Sequence, residues 1–366
     1  MTEPSDYELA AWRGIQSFKG RAASRLSRNV GQRVVGGATA VGKGATKYLE
    51  KHPRAKSVVS RGQEVVSKGA QAIGTGARKA ADALPDWSGA ALDSTRRMVA
   101  RTSRVGLSSK RVVALHRKRG HDVASLSDLR RLDLRQIDAV RGRGVHWYYP
   151  AAAALSGAGA GLVISGGELI AAASAGAAAA PSGAAVFGAF AGDAAVVLGL
   201  SSRAVGHVSL FYGYDPEEPG EKLFVMSVVN AGTAMSGGAK TAAMADISRL
   251  TQALVRGKTW AELNKSVVSK VATEFTKAFG VRLTKQGLGK VVPAAGIVLG
   301  SAFNWTTLES IVDAADVAYR RRFLLEKYPQ LADEEAPGSL PDVPDDDDET
   351  ISVLDELAEA GVPDLD

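Results

Sequence analysis

The 366-residue chain is predicted to be all-α: a compact helical domain with a Gly/Ala-rich central helical hairpin, flanked by a basic N-terminal arm and a disordered acidic tail. Three observations predict this. Hydrophobic residues make up 45% of the chain and aromatic ones only 6%, so the apolar content is mostly Ala, Val and Leu, which suits closely packed helices. Apolar residues recur at helical spacing, and no run reads convincingly as a strand. Charge is also partitioned. Residues 1–150 carry 29 Lys+Arg against 12 Asp+Glu, residues 151–330 carry 16 against 13, and residues 331–366 carry 14 acids and no basic residue, within a net charge of +6. A basic front and an acidic tail call for an anionic partner or for each other.

Residues 1–110 form the arm, and their charge decides the reading. The run VVSRGQEVVSKGAQAIGTGARKAADAL places pairs such as Val58-Val59 and Val65-Val66 among Lys and Arg. Its thin apolar face gains little against protein but can lie on an anionic bilayer, where each basic residue contributes roughly 1 kcal/mol. A disordered arm is the plainer alternative. Nucleic-acid binding is disfavoured, because basic charge stands there without a zinc spacing, an RNA-recognition motif or an aromatic platform. The opening MTEPSDYELAAW is polar and acidic rather than a basic stretch followed by an apolar one, which argues against a cleaved signal and for a cytoplasmic location.

Residues 111–330 are the predicted helical domain. In RVVALHRKRGHDVASLSDLRRLDLRQIDAV, Ser125 or Ser127 is expected to cap a helix turning Leu126, Leu129, Leu132, Leu134, Ile137 and Val140 inward. His116 and His121 are expected in a solvated basic loop. From Gly144 to Ser202 there is no Lys or Arg, and the only acids are Glu168 and Asp193. Two apolar runs there, WYYPAAAALSGAGAGLVISGG and GAAVFGAFAGDAAVVLGL, form the central hairpin, joined near Pro181. Gly157 with Gly161, and Gly188 with Gly192, have the spacing that lets helix backbones approach closely. Ala and Gly transfer into lipid nearly neutrally, so a soluble core hairpin is favoured while a membrane-dipping one stays open. The pattern returns in GKVVPAAGIVLGSAFNWTTL with Gly296 and Gly300. Before it, TWAELNKSVVSKVATEFTKAFG reads as a helix with a capping box at Thr259 and Glu262, and an apolar face through Leu263, Val267, Val271 and Phe275. Residues 331–366 are the acidic tail, with DDDDE at 345–349. Near its end, ISVLDELAEAG can form one amphipathic helix through Ile351, Leu354, Leu357 and Ala358.

Chemical motifs are sparse. The absence of Cys excludes disulfides, thiolate metal sites and a Cys nucleophile. Gly257-Lys258-Thr259 ends like a phosphate loop, but Gln252 stands where the first glycine is required. No His pair has zincin spacing and no Ser lies in a nucleophile elbow, so neither a metal nor a cofactor is expected. The best ionisable set is Glu168, Asp193, Arg203 and His207, in or beside the hairpin. A buried ion pair fixing helix register is the first reading of it, and a small-molecule, lipid or catalytic pocket around Asp193, Arg203 and His207 the second.

The stretch SLFYGYDPEEPGEKLF, Ser209–Phe224, reads as a corner between helices. Phe211 and Tyr212 should face the core, Gly213 should stop the first helix, and Asp215-Pro216 should make the turn. Pro219 suits the first position of the next helix, with Glu221 near its positive end, so the acids read as capping and solvation.

This corner, together with Gly192-Asp193 and Arg203 before it, resembles the signature of the EcsC protein family, carried here by Tyr212, Gly213, Asp215 and Pro216. A second block, GVRLTKQGLGKVVPAAGIVLGSAFNWTTLESIVDAADVAYRRRFLLEKY, resembles the same family through Lys285, Lys290, Gly296, Gly300 and Asn304. The similarity covers roughly residues 110–330. It implies a helical protein without an established reaction, an accessory to transport or secretion named for a locus that also encodes an ABC exporter; together with the basic arm, the expected partners are an anionic membrane surface or a membrane transporter. No catalytic residues follow from it. The expected location is therefore the cytoplasm, peripheral to or partly inserted at the inner face of the cell membrane, with the acidic tail available to pair with the basic arm.

Overall fold

The computed structural model describes residues 3–18, 107–157, 183–234, 237–255, 296–332 and 352–359, together with most of 268–279 and residue 282. Residues 19–106 of the arm, the hairpin connection with Glu168 and Pro181, the Thr259 capping box, and Lys285 and Lys290 lie outside the described residues. Among the described residues the fold is all-α.

The order is α1 (Asp6–Gln16), α2 (Ser109–Lys118), a 3-10 turn (Ser127–Arg131), α3 (Leu134–Arg141), α4 (145–157), α5 (Gly183–Phe211), α6 (Pro219–Thr233), α7 (Gly237–Val255), α8 (within 268–279), α9 (Gly296–Lys327), a 3-10 turn (Pro329–Ala332) and α10 (Val353–Glu359). The long α9 is the spine and packs against α5, α6 and α7. Its apolar side supplies Leu308, Ile311, Val312, Ala315, Tyr319 and Phe323 to a core shared with Val205 and Val208 of α5 and Leu223 and Val228 of α6, all at most 1% exposed. Leu129, Leu134 and Ile137 are fully buried as their spacing predicted, as are Phe211, Tyr212, Val271 and Phe275.

α4 and α5 are the described halves of the predicted hairpin, and they run antiparallel. Ser156 Oγ donates to Asp193 Oδ1 at 3.0 Å, while Tyr149 Oη and His207 Nδ1 lie 3.3 Å apart further along both helices. α4 is also antiparallel to α9. A Cβ on Gly157 would stand 2.2 Å from the Gly300 carbonyl oxygen, so the two backbones touch where only glycine fits. Gly157 and Gly300, one from each of two predicted pairs, thus mark a helix crossing, whereas a Cβ on Gly192 would meet nothing within 4 Å. Gly192–Phe211 is long and apolar enough to cross a membrane by mean hydropathy (1.4), yet 72% of that window is buried inside the protein.

Local signals differ from expectation at one helix start. Neither Ser125 nor Ser127 caps a long helix. Asp128 accepts from the Ala124 and Ser125 amides and holds a 3-10 turn, Leu132 is extended, and α3 begins at Asp133 with a capping box to Gln136. His116, expected in solvent, is fully buried on α2 with its Nδ1 3.0 Å from that of His121. Val112 and Val113 belong to the same buried side, so the side chain at 116 is carried into the core with them.

Two pieces of the flanks join the domain. α1 carries Trp12 (2% exposed) into the core, and α10 inserts Val353 and Leu357 (1% each) against α6 and α7.

Candidate functional site

The corner after α5 is built from the backbone upward. Tyr214 N–H donates to the Ser209 carbonyl and Gly213 N–H to that of Leu210, the two bonds of a Schellman stop. Gly213 has φ +86°, and a Cβ there would sit 2.9 Å from the Leu126 carbonyl oxygen. Arg130 Nε donates to the Gly213 carbonyl at 3.1 Å, pinning the corner to the 3-10 turn. Asp215 Oδ1 accepts from the Glu217 amide, and Pro219 opens α6. These are structural roles.

The predicted polar set divides. Asp193, 7% exposed, accepts from Ser156 and from Asn304 Nδ2 (2.8 Å), close to the Gly157–Gly300 crossing. Its neighbours lock α4, α5 and α9 together, and Asn304 thus gains a role that its place in the family signature did not state. Arg203 and His207 meet elsewhere on α5, around Tyr149. Fourteen residues of helix, about 21 Å of axis, separate His207 from Asp193. The structure therefore does not bring Asp193, Arg203 and His207 to one pocket. Burial, reinforced by the Arg203, Arg111 and Arg141 charges, pulls His207 down to about 4, so it is neutral near pH 7. Phe211 lies tilted against its ring at 5.2 Å.

Sequence reasoning missed a larger polar core. Tyr212 Oη accepts from both Arg141 and Arg320 at 2.9 Å. Arg141 also reaches Asp316 (2.5 Å), Arg320 reaches Asp138 (2.7 Å), and His146 Nε2 lies 2.7 Å from Asp316. Burial opposes ionisation of Asp316, but the His146 hydrogen bond and the Arg141 charge hold its carboxyl below the usual range. Beside this knot, Arg322 donates to Glu221 and Glu326 and covers the Tyr214 ring at 4.0 Å. Glu221 is thus a buried ion-pair partner, 3% exposed, rather than the solvated helix-end acid expected. The Arg320-Arg321-Arg322 run was the available signal, since three guanidiniums inside an apolar helix require carboxylates opposite.

A third tie is Glu8 of α1, 1% exposed. It accepts from the Ser5 and Leu134 amides, from Lys327 Nζ (2.8 Å) and from Tyr328 Oη (2.7 Å). Ser5-x-x-Glu8 carries the capping-box spacing that announces this helix. Among the described residues, no group of His, Asp and Glu is arranged to hold a metal ion.

The outer side of α4 has a different character. Val145, Tyr149 and Ala153 are buried, while Trp147, Tyr148 and Leu155 are 67%, 58% and 75% exposed. They stand at the base of the charge-poor hairpin. Arg111 of α2 and Arg203 of α5 are close enough to act on His207, which meets the buried Tyr149 on the other side of α4.

The sequence profile of the EcsC protein family matches residues 78–324, more than half of the chain. Among curated proteins, "Uncharacterized protein YdbA" of Bacillus subtilis (strain 168) is 30% identical over 139 residues, 37% of this chain and 48% of that protein. The chain therefore spans about half the length of that relative. No solved structure matches the chain.

Proposed function

The chain belongs to the EcsC protein family, and on that premise we propose that it is a non-catalytic accessory protein that associates with the anionic, cytoplasmic face of a membrane, beside a transporter it assists. The observation that carries this reading is the exposed Trp147, Tyr148 and Leu155 side of α4. A Trp–Tyr pair has an apolar body and a polar tip, the combination that settles at the level of lipid headgroups. Basic charge supports it. The 29 Lys+Arg of residues 1–150 supply long-range attraction to anionic lipid, and the aromatic patch supplies short-range insertion. α5 stays in the protein interior in this reading, because Asp193 and Arg203 are engaged with neighbouring helices.

Flotation with vesicles tests it. Wild-type protein should float with phosphatidylglycerol-containing vesicles at low salt, less so at high salt, and poorly with neutral vesicles. The Trp147→Ser/Tyr148→Ser variant should lose at least tenfold in partitioning while keeping its thermal transition. Equal partitioning of the variant and wild type would remove α4 from the reading. Indifference to both salt and lipid charge would remove the membrane.

A further inference from the structure

α6, α7 and α10, together with Arg282, line a cavity of about 140 Å³. A single water needs only ~10–15 Å³ of such space, so a small molecule fits. The room exists because α7 presents alanines here, Ala239 and Ala243, where larger side chains would fill it. The polar walls are two guanidiniums, Arg249 and Arg282, and two carboxylates, Asp246 and Asp355. Arg282, 6% exposed, donates to the Asn230 side-chain oxygen Oδ1 at 2.8 Å and is braced by it. Arg249 stands at the mouth, its side chain 56% exposed, with Nη1 3.9 Å from Asp246 Oδ1.

Charge decides what the space accepts. Among the described lining residues, with α10 in place, two cations stand against two acids. Asp355 belongs to α10 and Ser352 immediately precedes it, and Ser352 hydrogen-bonds the Asp246 carboxyl. Among the described lining residues, withdrawing α10 removes one carboxylate and leaves two guanidiniums and one acid, with the alanine-lined space open. The helix holding that carboxylate is short, seven residues, and seated through Val353 and Leu357. Such a short helix is marginal alone, so its docking is readily reversed.

We propose that this cavity is a binding site for a small oxyanion, of phosphate or carboxylate chemistry, and that α10 is its tethered competitor, Asp355 standing where the ligand's charge would be. Tethering gives α10 an effective concentration that a free ion must exceed, so oxyanion binding and α10 docking oppose each other reciprocally. This holds independently of the membrane reading, since α4 lines no part of the cavity.

The absence of Cys makes the test direct. Full-length Ala358→Cys, an exposed position on α10, is labelled with an environment-sensitive dye and titrated with sodium phosphate at constant ionic strength. Phosphate should release the dye saturably. In calorimetry, Leu357→Asp, which unseats α10, should bind phosphate at least tenfold tighter than wild type. Ala243→Met, which fills the cavity, should abolish binding with α10 still docked. Arg249→Gln, an exposed change that spares the fold, should weaken binding about tenfold. Release by phosphatidylglycerol vesicles but not by phosphate would assign the oxyanion to a lipid headgroup, and the reverse to a free ion. Absence of saturable binding of either source by both wild type and Leu357→Asp overturns the proposal, as does unchanged binding in Ala243→Met.

Discussion

Replacing Glu8 by alanine should detach α1 from the domain. The carboxylate satisfies four donors, and the loss is not equal among them. Lys327 keeps the Leu132 carbonyl oxygen at 2.8 Å and is partly exposed, so water can compensate it. The Leu134 amide and the Tyr328 hydroxyl are the buried donors left without an acceptor. Each unsatisfied buried group costs about 1–3 kcal/mol, and breaking a buried ion pair costs about 3–5 kcal/mol. A loss of about 3 kcal/mol in α1 docking is therefore expected, roughly a hundredfold in its opening equilibrium. Amide hydrogen exchange over residues 6–16 reads this directly, and Trp12 emission should report the same exposure. Burial opposes ionisation of Glu8, but the Lys327 and Tyr328 hydrogen bonds outweigh it and lower its pKa. Its contribution is thus present above the unfolded carboxyl value and fades as pH falls below about 4.5. Protection of residues 6–16 within threefold of wild type in Glu8→Ala would refute the reasoning.

Three further substitutions probe the helix contacts. Gly213→Ala forces a left-handed backbone and a contact with the Leu126 carbonyl, and should lower stability by about 1–3 kcal/mol in urea denaturation. Gly300→Ala would bring a Cβ to 2.5 Å from the Gly157 carbonyl oxygen, so a loss of about 1–3 kcal/mol is expected, with α4 losing exchange protection before α9. Tyr212→Phe removes the oxygen shared by Arg141 and Arg320, and since each hydrogen bond to a charged donor contributes about 1.5–3 kcal/mol, thermal melting should fall by at least several degrees.

The sequence was most legible where a local rule coincides with a tertiary contact. Gly157 and Gly300 were readable because close helix approach selects for an absent side chain, and that absence is visible in the chain itself. Gly213 and Pro219 were readable because turn chemistry is local. Asp193 was flagged by its isolation in an apolar run, but its partners Ser156 and Asn304 lie 37 and 111 residues away, and no spacing encodes that distance. The same limit hid the Tyr212–Arg141–Arg320 knot and misplaced Glu221, since a carboxylate near a helix start reads as an end-capping charge until Arg322 is found opposite. Asp193 and His207 share one apolar helix, but about 21 Å of axis assigns them to different layers.

Histidine titration offers a test of that layering. Burial pulls His116 down to about 4, with His121 and Arg119 adding to it, and the same holds for His207 beside Arg203, Arg111 and Arg141. Each ring titrates near 6.5 when unfolded, so the unfolded chain binds more protons in the window between about 6.5 and 4. Stability is therefore full above that window and falls as pH drops through it, by about 3 kcal/mol for the fully buried His116. Glu8 adds its loss only below about 4.5, so the two effects separate by pH. His116→Phe should flatten the upper part of the decline in urea denaturation measured from pH 7 to 5, because a ring without a proton site has nothing to bind on unfolding. A decline of unchanged steepness in His116→Phe would mean that His116 charges within the folded protein, and the packing that buries it beside Val112 and Val113 would then have to open in mild acid.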